Sequence, residues 1–281
     1  MKTTTSIDWF TGVARYAQQH PFPSRENEFN FVPCAGWSGY DVGMRELDTN
    51  IKRYTSTTRP DMGHAVLASA TALQKLSQQH PSHSLLEALW DTGFRQYRAS
   101  RIDFAVDLYD EGAAAWLCAD MMEAGRIVTK ARRMSVIKGV MGTSGVTSYI
   151  GSRQGSRFIR IYDKNAESKG KIPASRFELQ ANGEFAAELW RMWSTPTQEA
   201  LNTVAYSAIN GLVSDWGTQG LNVPLKFILE AVPPPKPEPN DDAWLWLSTQ
   251  VLPTLKRDFY LSDNIKDTLL NRLWKACLLD D

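Results

Sequence analysis

RIDFAVDLY, Arg101–Tyr109, alternates apolar and polar residues along its whole length. Successive side chains of an extended strand point to opposite faces. Ile102, Phe104, Val106 and Leu108 therefore share one face, and Arg101, Asp103, Ala105, Asp107 and Tyr109 share the other. One apolar and one charged face suit an antiparallel sheet that helices cover on one side only. Two stretches downstream repeat the pattern. In RFIRIYDKNAE, Arg157–Glu167, Ile159 and Ile161 face a core while Arg160, Tyr162 and Lys164 lie opposite. In SRFELQ, Ser175–Gln180, Phe177 and Leu179 turn inward and Arg176, Glu178 and Gln180 outward. The fold class that follows is α+β: an antiparallel β-sheet with helices packed on one face and the active site on the other.

The remaining elements are read around these strands. Ser6–Val13 is expected as a short first strand and Asn50–Thr58 as an edge strand. Pro21, Pro23, Pro33 and several glycines make residues 20–43 mostly loop. Helices are expected over Gly63–Gln79, from the N-cap residue Ser84 to Arg98, over Gly112–Ala124, and over about 182–194 and 196–215. Arg126–Val140 and Val146–Gly151 read as strands around a glycine-rich turn. VPPPKPEP, within residues 232–240, is an extended linker. The expected organisation is an α+β domain at 1–231, with an N-terminal half at 1–100 and a core at 101–231 that holds the three alternating strands. The linker and a small helical C-terminal module at 241–281 follow.

Composition excludes several classes. No apolar run is long enough to span a membrane, and MKTTTSIDWF has no apolar signal core, so a cytoplasmic location is expected. Cys34, Cys118 and Cys277 are odd in number and far apart, which argues against a disulfide frame or zinc site. The net charge is zero, yet between Arg126 and Arg176 twelve basic residues face only Asp163 and Glu167, a local balance of +10. Such a block is the footprint of a polyanion partner. It makes Arg132, Arg133, Lys138, Arg153, Arg157 and Arg176, with Tyr149, candidates for DNA binding. A solvated charged face is the plainer alternative.

If the three strands pair in one sheet, their polar faces assemble Asp103, Asp107, Glu178, Arg160, Arg176, Tyr162 and Lys164. Clustered carboxylates repel unless a cation sits between them. Their hard oxygens suit Mg²⁺ or Mn²⁺, which makes Asp103, Asp107 and Glu178 metal-ligand candidates. A tyrosine flanked by cations is suited to attack a phosphodiester, because positive charge favours the phenolate and holds the phosphate. Tyr162, Lys164 and Arg160 are the catalytic candidates on this reading. Each piece also has a structural reading. Tyr162 can be a half-buried strand residue, the carboxylates can pair with Arg101, Arg160 or Arg176, and Tyr149 competes as nucleophile.

The order RIDFAVD, TSYIGSR, SRFIRIYDK and RFELQ, spanning roughly Ser100–Trp190, resembles the replication initiators of pT181-type rolling-circle plasmids. It is also similar to the initiators of filamentous phages and to the relaxases of some integrative conjugative elements. The resemblance implies a site-specific nickase and strand transferase. Its tyrosine, at Tyr162 here, attacks origin DNA, becomes joined to the 5′ phosphate and frees a 3′ hydroxyl. It places the metal-ligand candidates first at Asp103 and Glu178, with Asp107 after them, and matches basic positions to Arg160, Lys164 and Arg176. It implies Mg²⁺ or Mn²⁺ but no nucleotide cofactor. The implied partners are origin DNA, single-stranded or in a hairpin at the nick, with a host helicase, a polymerase and a second copy of the chain as further partners, and no membrane. A conjugative relaxase and a non-catalytic DNA-binding regulator are the alternatives. The His-hydrophobic-His metal motif of other nickases is absent: His20, His64, His80 and His83 do not form it.

Overall fold

A computed structural model describes residues 2–15, 30–80, 85–139, 144–192 and 197–215, all within the unit Met1–Pro234. The linker expected at 232–240 and the helical module expected at 241–281 lie outside the described residues, as do His20, His83, Cys277 and part of the turn after Gly139. The strands are β1 (Thr3–Ala14), β2 (Phe31–Cys34), β3 (Val42–Glu46), β4 (Lys52–Thr55), β5 (His64–Ser69), β6 (Arg98–Leu108), β7 (Val128–Thr129), β8 (Met134–Lys138), β9 (Val146–Gly151), β10 (Arg157–Asp163), β11 (Ser175–Asn182) and β12 (Val213–Asp215). The helices are α1 (Ala70–Gln79), α2 (Leu85–Asp91), α3 (Ala113–Glu123), α4 (Lys164–Glu167), α5 (Gly183–Arg191) and α6 (Gln198–Asn210).

Ten strands form one sheet in the order β2-β3-β4-β5-β1-β6-β11-β10-β9-β8, and β7 pairs with β12 in a small ribbon. The named pairs are antiparallel. Ile102, Phe104, Val106, Leu108, Ile159, Ile161, Phe177 and Leu179 all enter one core with apolar residues of α1, α3, α5 and α6. Burying each of these side chains contributes roughly 1.5–3 kcal/mol before entropy is counted. The α+β class and the one-sided packing read from the alternation are what the chain adopts.

The N-terminal half corrects several expectations. Gly63–Gln79 is a strand and then a helix. His64–Ser69 pairs with β1 and β4, so sheet pairing overrides the helical preference of its Ala and Leu residues. The helix starts only where the Ser69 hydroxyl caps it, accepting from the Ala72 amide at 3.4 Å. The helix expected up to Arg98 ends at Asp91, because β6 begins at Arg98 to continue its pairing with β1. Within the region expected to be mostly loop, Phe31–Cys34 forms β2 and β3 begins at its end, at Val42. Pro33 is tolerated there because β2 is the sheet's edge. The strand near residue 52 is therefore interior, between β3 and β5.

Candidate active site

The register of four strands builds the site. Asp107, Arg176, Tyr162 and Thr147 stand in one cross-strand row, and Ala105, Glu178, Arg160 and Tyr149 in the next. Asp103, Gln180, Phe158 and Gly151 form a third. Paired positions share a face, so these rows form one polar surface opposite the helix-packed core. The sequence expectation that Asp103, Asp107, Glu178, Arg160, Arg176 and Tyr162 meet on one side of the sheet is met in the register.

Tyr162 is 8% exposed. The Arg160 guanidinium lies 5.0 Å from its ring centroid and the Lys164 ammonium 5.7 Å. Burial pushes the phenol well above its ordinary range. Arg176 pulls it back, Glu178 adds to the rise and Arg160 opposes it. Arg176 and Arg160 do favour the phenolate, as expected of neighbouring cations, but desolvation outweighs them in the DNA-free chain. Lys164 is placed differently from the reading. β10 ends at Asp163, and Lys164 opens the one-turn helix α4, where it pairs with Glu167 at 2.6 Å. Asp163 makes that turn possible. Its carboxylate accepts from the Ala166 amide at 2.9 Å and from the Trp116 indole at 3.0 Å. Gly112, at φ 93°, lies so close that a β-carbon there would sit 2.5 Å from an Asp163 oxygen.

Each carboxylate on this face is held by an arginine. Arg101 grips Asp103 through two bonds of 2.8 and 2.5 Å. Arg176 grips Asp107 through two of 2.6 and 2.7 Å. One Arg160 nitrogen donates to both oxygens of Glu178, at 2.7 and 2.5 Å. Asp103 is 4% exposed and Asp107 8%. Burial raises the Asp103 pKa against the pull of Arg101, and the charges of Glu178 and Asp8 add to the rise.

Asp8 is a residue that the sequence reading missed. The pairing of β1 with β6 shifts register between Ile7 and Trp9, a bulge centred on Asp8. A bulge re-aims the side chains beside it. Asp8 accepts from Arg176 at 2.7 Å and from the Ser6 hydroxyl at 2.9 Å, and Trp9 stands opposite Asp103 under the Arg101 guanidinium. Burial raises the Asp8 pKa, Arg176 opposes it, and Glu178 and Asp107 push the same way as burial. The charged residue in SIDWF was the available signal, but alternation alone gives it no partner.

These pairs bear on the metal expectation. Among the described residues no group of three His, Cys, Asp or Glu side chains converges to hold an ion. The donor atoms are hard carboxylate oxygens, but guanidinium groups already engage Asp103, Asp107 and Glu178. The residues as they stand do not fit a resident divalent ion.

The DNA-binding candidates divide between the two faces. Arg132, Arg133, Tyr149, Arg153 and Phe158 line one hollow of about 630 Å³ on the tyrosine side of the sheet. Arg157 points the other way, stacked 3.8 Å over Phe185 and donating to the Gly211 carbonyl, because it shares parity with Ile159 and Ile161. Lys138 pairs with Asp120 at 2.9 Å and Glu123 at 2.7 Å on α3, again on the helix side. Arg176 is spent on two carboxylates. In the DNA-free chain these three are engaged by partners within the protein. Gly151, at φ 94°, gives close approach to the Arg157 carbonyl, 2.8 Å from where a β-carbon would stand.

No helix among the described residues is long and apolar enough to cross a membrane. No curated protein matches the chain. The fold is similar to that of a rolling circle replication initiator protein from Geobacillus stearothermophilus, with a TM-score of 0.57 and 16% identity over 75% of this chain and 86% of that one. Residues 98–219, which hold β6, β9, β10 and β11, match the family model Rep_trans, described as replication initiation factor. The carboxylate strand, the tyrosine strand and their register all lie inside the segment that is similar to the replication initiation factor model, on a fold similar to that of a rolling circle replication initiator protein.

Proposed function

We propose that the chain is a replication initiator that nicks one strand of origin DNA with Tyr162 as nucleophile. The observation that carries this reading is the row Asp107–Arg176–Tyr162 beside the row Glu178–Arg160–Tyr149. It sets a phenol among guanidinium groups on the open side of the sheet. The Tyr162 hydroxyl oxygen bonds to phosphorus, and the bond from phosphorus to the 3′ oxygen breaks. The product is a 5′-phosphotyrosyl ester and a 3′ hydroxyl. The phenol loses one proton and the leaving oxygen gains one, so no redox partner is required. An incoming phosphate adds negative charge that can draw Arg160 from Glu178, and the guanidinium then stabilises charge developing on the phosphate. Lys164, 5.7 Å from the ring centroid, is near enough for the same task. No step is routed through a metal, and Mg²⁺ and Mn²⁺ enter as variables of the assay.

Supercoiled cognate origin DNA, incubated with and without Mg²⁺ or Mn²⁺, is expected to yield open circles and protein joined to DNA. Mass spectrometry of the adduct is expected to identify Tyr162. Undiminished nicking by Tyr162→Phe would remove the assignment and turn attention to Tyr149. A conjugative relaxase would give the same products at a transfer origin, and gene neighbourhood separates the two. A second reading, a DNA-binding regulator without nicking activity, is favoured by the arginine-locked carboxylates and the buried phenol. Binding of origin DNA with no nicking under any ion would establish it.

A further inference from the structure

We propose that the hollow walled by Tyr149, Phe158 and Arg153 is a pocket for one unpaired base of the scissile strand, adjacent to the nucleotide held at Tyr162. The inference rests on the nicking reading and extends it from phosphate chemistry to recognition of the strand. The two rings lie nearly parallel, 15° apart with centroids 5.8 Å apart, and Arg153 sits 5.7 Å over the Phe158 ring. This is an aromatic and guanidinium platform of the kind on which bases stack. The hollow holds about 630 Å³, within the range of small-ligand sites. It shares Phe158 and Arg153 with a second hollow of about 300 Å³ that reaches Arg160 and Glu178. Arg132 and Arg133 also line it and supply cations for flanking phosphates.

Register sets the spacing. Tyr149 pairs with Arg160, two positions from Tyr162 on the neighbouring strand. One strand separation combined with two residues of rise is about 8 Å, close to one step along an extended strand. A stacking platform needs a bare base face, and a duplex offers only base edges in its grooves. The pocket therefore selects single-stranded DNA.

The test measures fluorescence anisotropy of the full chain with a labelled short oligothymidylate and with a duplex of equal length, at one salt concentration. Tyr149→Ala and Arg153→Ala are expected to weaken single-strand binding about tenfold and to leave duplex binding nearly unchanged. Tyr149→Phe is expected to retain the wild-type affinity, which separates loss of stacking from loss of folding. Lys138→Ala, on the helix side, is the control for charge alone and is expected to bind as wild type. Single-strand affinity unaltered in Tyr149→Ala, or an equal loss on duplex, would overturn the pocket. Parallel nicking assays keep the two readings apart. A selective single-strand defect in Tyr149→Ala, together with a wild type that never nicks, supports the pocket and sinks the nickase. Nicking with undiminished binding by Tyr149→Ala does the reverse.

Discussion

Arg176 stands opposite Tyr162 across two strands while its own guanidinium is divided between Asp107 and Asp8. One arginine thus joins β1, β6 and β11 beneath the proposed nucleophile. The three charges are mostly hidden from water, and side-chain exposure does not exceed 20% for any of them. Of the three, Arg176 acts on the phenol, pulling its pKa down against the effect of burial.

Removing that arginine leaves two buried carboxylates without their main cation. Arg176→Ala is expected to cost about 3–5 kcal/mol, the usual penalty for breaking a buried pair from one side. Urea unfolding with an unchanged slope checks it. A double substitution, Arg176→Met with Asp107→Leu, is expected to recover part of the loss, since it removes the stranded Asp107 charge as well.

Asp103 gives a stability effect with a defined sign. Its folded pKa lies above the ordinary 3.8 because burial outweighs Arg101. The folded state then holds its proton at pH values where the unfolded state has lost it. The contribution of protonated Asp103 is complete below 3.8 and is lost as pH rises through the folded value. Asn mimics the protonated form, so Asp103→Asn is expected to raise Tm relative to wild type at neutral pH. The gain should shrink towards zero as pH falls to 3.8. A gain that grows on acidification would contradict the sign.

Asp163 is expected to act on the placement of Lys164 rather than on chemistry. Asp163→Ala removes the cap of α4 and the acceptor of the Trp116 indole. A loss of about 1–2 kcal/mol is expected. A change in the Trp116 fluorescence should accompany it, because the indole loses its acceptor.

The arginine pairs bear on metal uptake as well. With guanidinium groups on Asp103, Asp107 and Glu178, the DNA-free protein is expected to bind Mn²⁺ only weakly, at about millimolar concentration. Calorimetry or electron paramagnetic resonance checks this. Arg101→Ala and Arg160→Ala are expected to tighten binding by releasing carboxylate oxygens. Stoichiometric micromolar binding by the wild type would show that the arginines give way to the ion.

Much of the sheet was legible because it is covered on one side. Alternation survives in Arg101–Tyr109, Arg157–Asp163 and Ser175–Gln180, and it placed Tyr162 and Arg160 on a common face, though not Lys164, which lies beyond the strand. What alternation cannot give is partners. Whether Asp103 meets an ion or a guanidinium depends on the reach of Arg101, two residues away on the same strand. Asp8 escaped because a bulge decides its surroundings. Arg157 shows the opposite fault: its parity with Ile159 was readable, but counting it within a basic block hid that. Gly63–Gln79 was misread because local propensity does not register the long-range pairing of His64–Ser69 with β1 and β4.

The bulge in β1 has a practical bearing on fragments of this chain. The segment that matches the family model starts at residue 98, yet the strand that lies against β6 and supplies Asp8 comes from the first fourteen residues. Excising 98–219 would bare the long flank of β6 and strip Arg176 of one counter-ion. The portable unit of this enzyme candidate is larger than its sequence signature, and its N-terminal ribbon travels with it.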